Sequence, residues 1–269
     1  GVDAAQRAIG INTKYSFAYG NIATIYMNRA LYELMAGRDI QASHRRAIDA
    51  FHKMAEIGGP SAEISSYLAI THAFLARQRV ERQEDPSAAI AAGLKSLDGC
   101  LTPPNVDPYC QDARARLLAI QAEWNGRSGD HATTHWAQAF DESRRVLLAI
   151  PTEPDALLSS SEIALKWLAQ PQLSPAKQRE LLAQALDSID RALKASPGWP
   201  RALAVKGALL SIQSHREGNA ASRKSLHTQA QECLRAALTG NPRLKRKYGS
   251  VLEEVERKLG SAERGQDPR

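Results

Sequence analysis

The stretch Ala185-Leu186-Asp187-Ser188-Ile189-Asp190-Arg191-Ala192-Leu193-Lys194-Ala195-Ser196-Pro197 decides the fold, because its skeleton is written again further on. Ala185-x3-Ile189-x2-Ala192-x4-Pro197 recurs as Ala230-x3-Leu234-x2-Ala237-x4-Pro242, 45 residues later. Pro151 stands 46 residues before Pro197, with Ala139 and Val146 at the matching offsets. Small and apolar residues three and four apart lie on one helical stripe. A fixed period of such stripes describes stacked helical hairpins, each too thin to bury its apolar face alone.

Composition agrees with helix. Of the 269 residues 43% are hydrophobic, 24% charged and only 6% aromatic, a balance that favours helix over sheet. No segment shows the strict alternation of a half-buried strand. No run approaches the roughly 18–20 apolar residues of a membrane span, so no membrane role is expected. The formal charge of +6 is spread along the chain rather than clustered, which speaks against nucleic acid. Three cysteines cannot all pair. Cys100 and Cys110 flank a Pro-rich loop and could approach each other. Buried free thiols in a reducing, cytoplasmic setting are the expectation.

Punctuation sets the elements. Asp85-Pro86, Asp107-Pro108, Ser174-Pro175 and Asn241-Pro242 each place a side-chain acceptor before a residue with no N–H to lose, the pattern of a helix start. Gly58-Gly59-Pro60 reads as a stop and a restart. The predicted pairs are 16–37 with 41–57, 61–83 with 86–101, 108–125 with 130–149, 153–169 with 175–195, and 199–217 with 220–239, followed by a helix over 242–259. Residues 2–11 read as the tail of an earlier second helix, since Ala8, Ile9 and Ile11 hold the places of Ala192, Leu193 and Ala195. On that reading the chain begins inside a repeat.

The first helices align as Tyr19-x2-Ile22-Ala23-x2-Tyr26, Tyr67-x2-Ile70-Thr71-x2-Phe74, Ala115-x2-Leu118-Ala119-x2-Ala122, Leu157-x2-Ser160-Ser161-x2-Ala164, Leu203-x2-Lys206-Gly207-x2-Leu210 and Tyr248-x2-Val251-Leu252-x2-Val255. Together with the second-helix skeleton this resembles the tetratricopeptide repeat over nearly the whole chain. The repeats here are longer, about 42–48 residues against the ordinary 34, and the surplus lies between the helices of each hairpin. The extension Ala30-Leu31-Tyr32-Glu33-Leu34-Met35-Ala36-Gly37-Arg38-Asp39 is similar to arrays that follow the kinase domain in some bacterial serine/threonine protein kinases. The chain itself carries no Gly-rich phosphate loop, H-R-D or D-F-G element.

The resemblance implies an all-α, right-handed superhelical solenoid of antiparallel helix pairs, about five repeats plus a capping helix. Its divisions would be a second-helix remnant over 1–12, the array over 13–240, the cap over 241–260 and a disordered tail over 261–269. It implies a non-catalytic scaffold, with no cofactor and no metal, that binds a protein or peptide along an inner groove lined by first helices. By offset that groove takes Phe17, Asn21, Thr24 and Asn28, then His72 and Leu75, then Arg116, Glu123 and Trp124, then Glu162 and Lys166, then Arg201. Gly20 and Thr24 stand where chaperone-binding members carry Lys and Asn for a terminal carboxylate, so that clamp is not expected. Two alternatives stand beside the scaffold. One is the regulatory or substrate-recruiting region of a kinase whose catalytic domain lies upstream. The other is a structural array that self-associates through its ends.

Other chemistry is thin. His131 and His135 are four apart but lack the Glu of H-E-x-x-H and a third ligand. Cys233 reads as core. Trp124, Trp136, Trp167 and Trp199 lack surrounding basic residues and read as packing. Arg243, Lys245, Arg246 and Lys247 read as the solvated face of the cap.

Overall fold

The computed structural model describes residues 1–104, 106–127, 132–171 and 173–263. It is all-helical, with no strand among the described residues. In chain order the helices are α1 (Val2–Ile11), α2 (Ser16–Met35), α3 (Gln41–Gly58), α4 (Ala62–Glu81), α5 (Ser87–Lys95), α6 (Pro108–Asn125), α7 (Ala132–Ala149), α8 (Pro154–Leu168), α9 (Pro175–Ala195), α10 (Pro200–Ser214), α11 (Ala220–Gly240) and α12 (Lys245–Glu263). A short 3-10 turn, Pro242–Leu244, leads into α12. The chain divides into two compact units, Gly1–Ala149 and Ile150–Arg269.

The helix starts form where the punctuation placed them. Asp107 accepts hydrogen bonds from the backbone N–H of Tyr109 at 2.9 Å and Cys110 at 3.0 Å, with Pro108 at the first helical position. Ser174 accepts from Lys177 N and Asn241 from Arg243 N. Asp85 accepts from Ser87 N at 2.9 Å, just outside α5. Each bond satisfies a donor that the helix ladder cannot reach. Gly59 ends α3 at φ +86°, a conformation that costs residues with a Cβ. α12 continues through residues 261–263, past the expected end of the cap at Gly260, while residues 264–269 of the expected tail lie outside the described residues.

In the first unit α2 pairs with α3, α4 with α5 and α6 with α7, and α1 packs on α2. Ala23, Ala47, Ala50, Phe51, Ile64 and Leu68 form one buried cluster, in which the Phe51 and Tyr67 rings stack at 5.6 Å between centroids. A second cluster runs from Ala69 and Ala73 through Ile90 and Leu97 to Leu117 and Ile120. Gln78, itself buried, donates to Arg38 O at 2.6 Å and accepts from Ile40 N at 3.3 Å. It thereby closes the α2–α3 turn from a helix 38 residues away.

The short α5 departs from the sequence reading. Its helix stops at Lys95, not near 101, and residues 96–100 continue in turns. Cys100 and Cys110 clasp this segment. They form a disulfide with Cα atoms 6.3 Å apart, and both are buried in the second cluster. The expectation of free thiols is overturned at two of the three cysteines, and their state does not point to a reducing compartment. The spacing of 10 residues allowed the bond, and the turn-rich path brings the two ends together. Cys233 is free and half-buried rather than in the core, one position off the buried Ala230, Leu234 and Ala237 stripe.

In the second unit α8 pairs with α9, α10 with α11, and α12 packs on α11 and α10. Close crossings depend on the small residue of the first-helix pattern. Gly207 lies so near α11 that a Cβ there would stand 2.6 Å from Leu234 Cγ. At the same place in α8, the Ser161 hydroxyl donates to Leu157 O and lies 3.1 Å from Ala185 O of α9. Trp136 and Trp167 are core residues of their respective units, and Trp124 is half-buried against the second cluster with Arg127 over its ring.

Candidate functional site

The expected groove residues fall into three physical settings. The first is open. Along α2, Phe17 is 68% exposed, and Asn21 and Asn28 are exposed, while Thr24 is half-buried. Asn21 and Thr24 help line a cleft of about 430 Å³ between α1 and α2, floored by Ala4, Ala8, Ala18 and Ile25. No charged side chain lines it. Tyr15, 46% exposed, also lines it, with its ring 6.1 Å from that of Phe17, and Ile11 at the end of α1 is 89% exposed. Single exposed apolar residues are ordinary, but an aromatic pair beside a cleft without charged side chains is a patch.

The second setting is charge-paired. Glu123 on α6 meets Arg77 on α4 at 2.6 Å, and Arg116 meets Asp112 one turn earlier on its own helix at 2.7 Å. In the second unit Glu162 on α8 takes Arg201 of α10 in a two-pronged bond of 3.0 and 2.5 Å, with Lys247 of α12 at 3.8 Å. Burial opposes the Arg201 charge, but the Glu162 carboxylate outweighs it and holds the guanidinium above its ordinary value. Burial likewise pushes the neighbouring Tyr248 phenol up. Lys166 is half-buried in the last turn of α8, where a cation suits the helix dipole.

The third setting faces a seam. His72 Nδ1 lies 3.3 Å from His44 Nε2 on α3, so the imidazole meets a second helix rather than an open groove. One ring donates and the other accepts, and both cannot hold two protons at that contact. Leu75 packs between two apolar clusters. Burial, then His72, Arg45 and Arg79, pull the His44 pKa down to about 4, and burial lowers His72 as well. A folded pKa below the free value means that the pair contributes fully above about pH 6.5 and loses that contribution as pH falls towards 4. After discounting for partial solvent access, the loss is about 1–2 kcal/mol. Urea midpoints at pH 7.5 and pH 5 should therefore fall with acid, and His44→Gln should flatten the slope. Equal slopes in the two proteins would exclude the pair as its source.

His135 on α7 lies 3.5 Å from the Asn125 amide of α6, and His131 lies outside the described residues. Among the described residues no three His, Cys, Asp or Glu side chains are grouped to hold a metal. No described helix is long and apolar enough to cross a membrane. Sequence offsets missed Arg77, His44 and Lys247 as partners, and they missed the exposed Ile11 and Tyr15. The low polarity of Ile11 and Tyr15 around Asn12-Thr13-Lys14 was the signal available. Compared with known proteins, the chain matches no family model and no curated sequence.

Proposed function

We propose that this chain is a non-catalytic protein-interaction scaffold, built as a tetratricopeptide-like superhelical array, whose partner seats on the α2 stripe beginning at Phe17. One observation carries the reading: Phe17 is 68% exposed, with its ring 6.1 Å from that of Tyr15, which lines a cleft of about 430 Å³ that holds no charged side chain. A large ring held in water represents about 2 kcal/mol of unrealised burial, and aromatic anchors dominate binding at such faces. Elsewhere the carboxylates of Glu123 and Glu162 already hold Arg77 and Arg201, whereas the α2 stripe offers apolar contact and the exposed Asn21 and Asn28 amides. The buried Cys100–Cys110 bond favours an oxidising compartment over the cytoplasm as the place of work.

A photo-reactive residue at position 17 tests this in an extract of the source cells. It should give one discrete adduct, lost when Asn21→Asp and Thr24→Asp are added. An indistinguishable set of adducts from position 148, where exposed Leu148 serves as control, would refute the site.

A further inference from the structure

α3 closes one helical hairpin of the first unit and α4 opens the next, and where the two helices pack, two imidazoles meet. His44 Nε2 of α3 lies 3.3 Å from His72 Nδ1 of α4, with the ring centroids 5.1 Å apart and the planes at 62°. Both rings are half-buried. Each is carried by a regular helix, of 18 and 20 residues, so neither nitrogen moves far without a change of rotamer.

The distance between the two nitrogens suits a metal as well as a proton. For an N–H donor it is at the long end of the usual range. Tetrahedral zinc, with Zn–N bonds of about 2.0–2.1 Å, holds two nitrogens about 3.3–3.4 Å apart. A square-planar ion with similar bonds would need about 2.9 Å. Calcium and magnesium take oxygen ligands and do not suit the pair.

We propose that His44 and His72 form a two-histidine zinc site that clips the second helix of one hairpin to the first helix of the next. The site is independent of the partner seat on α2. Each ring turns a lone pair towards the ion and keeps its proton on the outer nitrogen, Nδ1 in His44 and Nε2 in His72. Burial supports this state, because it holds both imidazoles neutral at pH 7 and so able to ligate. Among the described residues no third His, Cys, Asp or Glu joins the pair as a ligand, so water fills the two remaining tetrahedral positions. Arg45 and Arg79 lie near enough to oppose a cation. Arg79 reaches to donate to Asp85 O at 3.1 Å, and Arg45 is exposed, where salt screens it.

The test titrates the full chain, first stripped with a chelator, with zinc chloride at pH 7. The chain has seven histidines, so the readout must separate them. Long-range proton–nitrogen spectra of the histidine rings do so. His44 Nε2 and His72 Nδ1 should shift together with one shared midpoint. The melting temperature of the first unit should rise with zinc, because the ion binds the folded crossing and not the separated helices. His44→Gln and His72→Gln should each weaken that binding at least about tenfold in calorimetry and remove the rise. His52→Gln, at an exposed position on α3, should change neither.

Ring signals of His44 and His72 that stay put in about 1 mM zinc, or a shift of one ring without the other, would overturn the site. Zinc affinity equal in the unmutated chain and both variants would overturn it too, in favour of other histidines as the ligands. The spectra of the unmutated chain decide the matter even if a variant fails to fold.

Discussion

Reducing the protein, or replacing Cys100 and Cys110 together by Ala, lowers the melting temperature of the first unit by on the order of 10 °C. The reason is a short closed loop. The bond spans 10 residues, and the chain-entropy relation assigns such a loop about 2–3 kcal/mol of restriction in the unfolded state. For a domain near 150 residues each kcal/mol is worth about 2–4 °C. Local structure adds to the effect. After α5 ends at Lys95, Leu97 N donates to Leu94 O and Cys100 N to Leu97 O in single turns, and Asp107 N donates to Cys100 O just ahead of α6. Leu97 and both cysteines sit in one apolar cluster with Ile90, Leu117 and Ile120. Releasing the clasp lets water reach that cluster from the turn side. Melting with and without a thiol reductant measures the shift. Alkylation of the unreduced, denatured chain should modify Cys233 alone. Three modified thiols together with an unchanged melt would remove the disulfide from the account.

Gly207→Ala destabilises the second unit by about 1–2 kcal/mol, although the same change in an open helix stabilises. In a helix interior Ala is better than Gly by about 1 kcal/mol. At Gly207 the new methyl would stand 2.6 Å from Leu234 Cγ and 3.0 Å from the backbone Ala230 O. Neither atom is the free end of a flexible chain, so α10 and α11 must move apart, and overpacking of this kind costs about 1–3 kcal/mol. The clash exceeds the propensity gain. Gly10, with nothing within 4 Å of its added Cβ, is the control, and Gly10→Ala should leave stability level or slightly higher. Leu234→Ala added to Gly207→Ala should cost less than the two separate losses combined, because the deletion relieves the clash. Additive losses, or a more stable Gly207→Ala, would show that the small residue is not what sets the crossing.

Much of the architecture was legible because it is local. Asp107-Pro108, Ser174-Pro175 and Asn241-Pro242 start structure as read, each with its cap bond formed. The expected 108–125 helix is α6 to the residue, and 175–195 is α9. α5 was read too long because Leu97 and Cys100 continue its apolar spacing, while their burial comes from turns held by the disulfide and by α6. The groove was only partly legible. Offsets placed Glu162, Arg201 and Glu123 on first helices, but they did not reveal that Glu162 and Arg201 bond each other or that Glu123 takes Arg77. His72 sits at the Thr24 offset yet meets His44 of α3. An offset fixes the angle of a side chain about its own helix, not which neighbour fills the space beyond.

By itself the sequence determined the helices, their caps and the small–large stripes that pair them, because hydrogen bonding within a helix and the 3.6-residue period act over a few neighbours. The tertiary structure alone decided which stripe residues are spent on pairing and which stay available. It also decided whether two cysteines meet, because both outcomes depend on distances between segments that the local pattern does not fix. Phe17 and Arg201 occupy one register position, and only packing makes one an exposed ring and the other half of an ion pair.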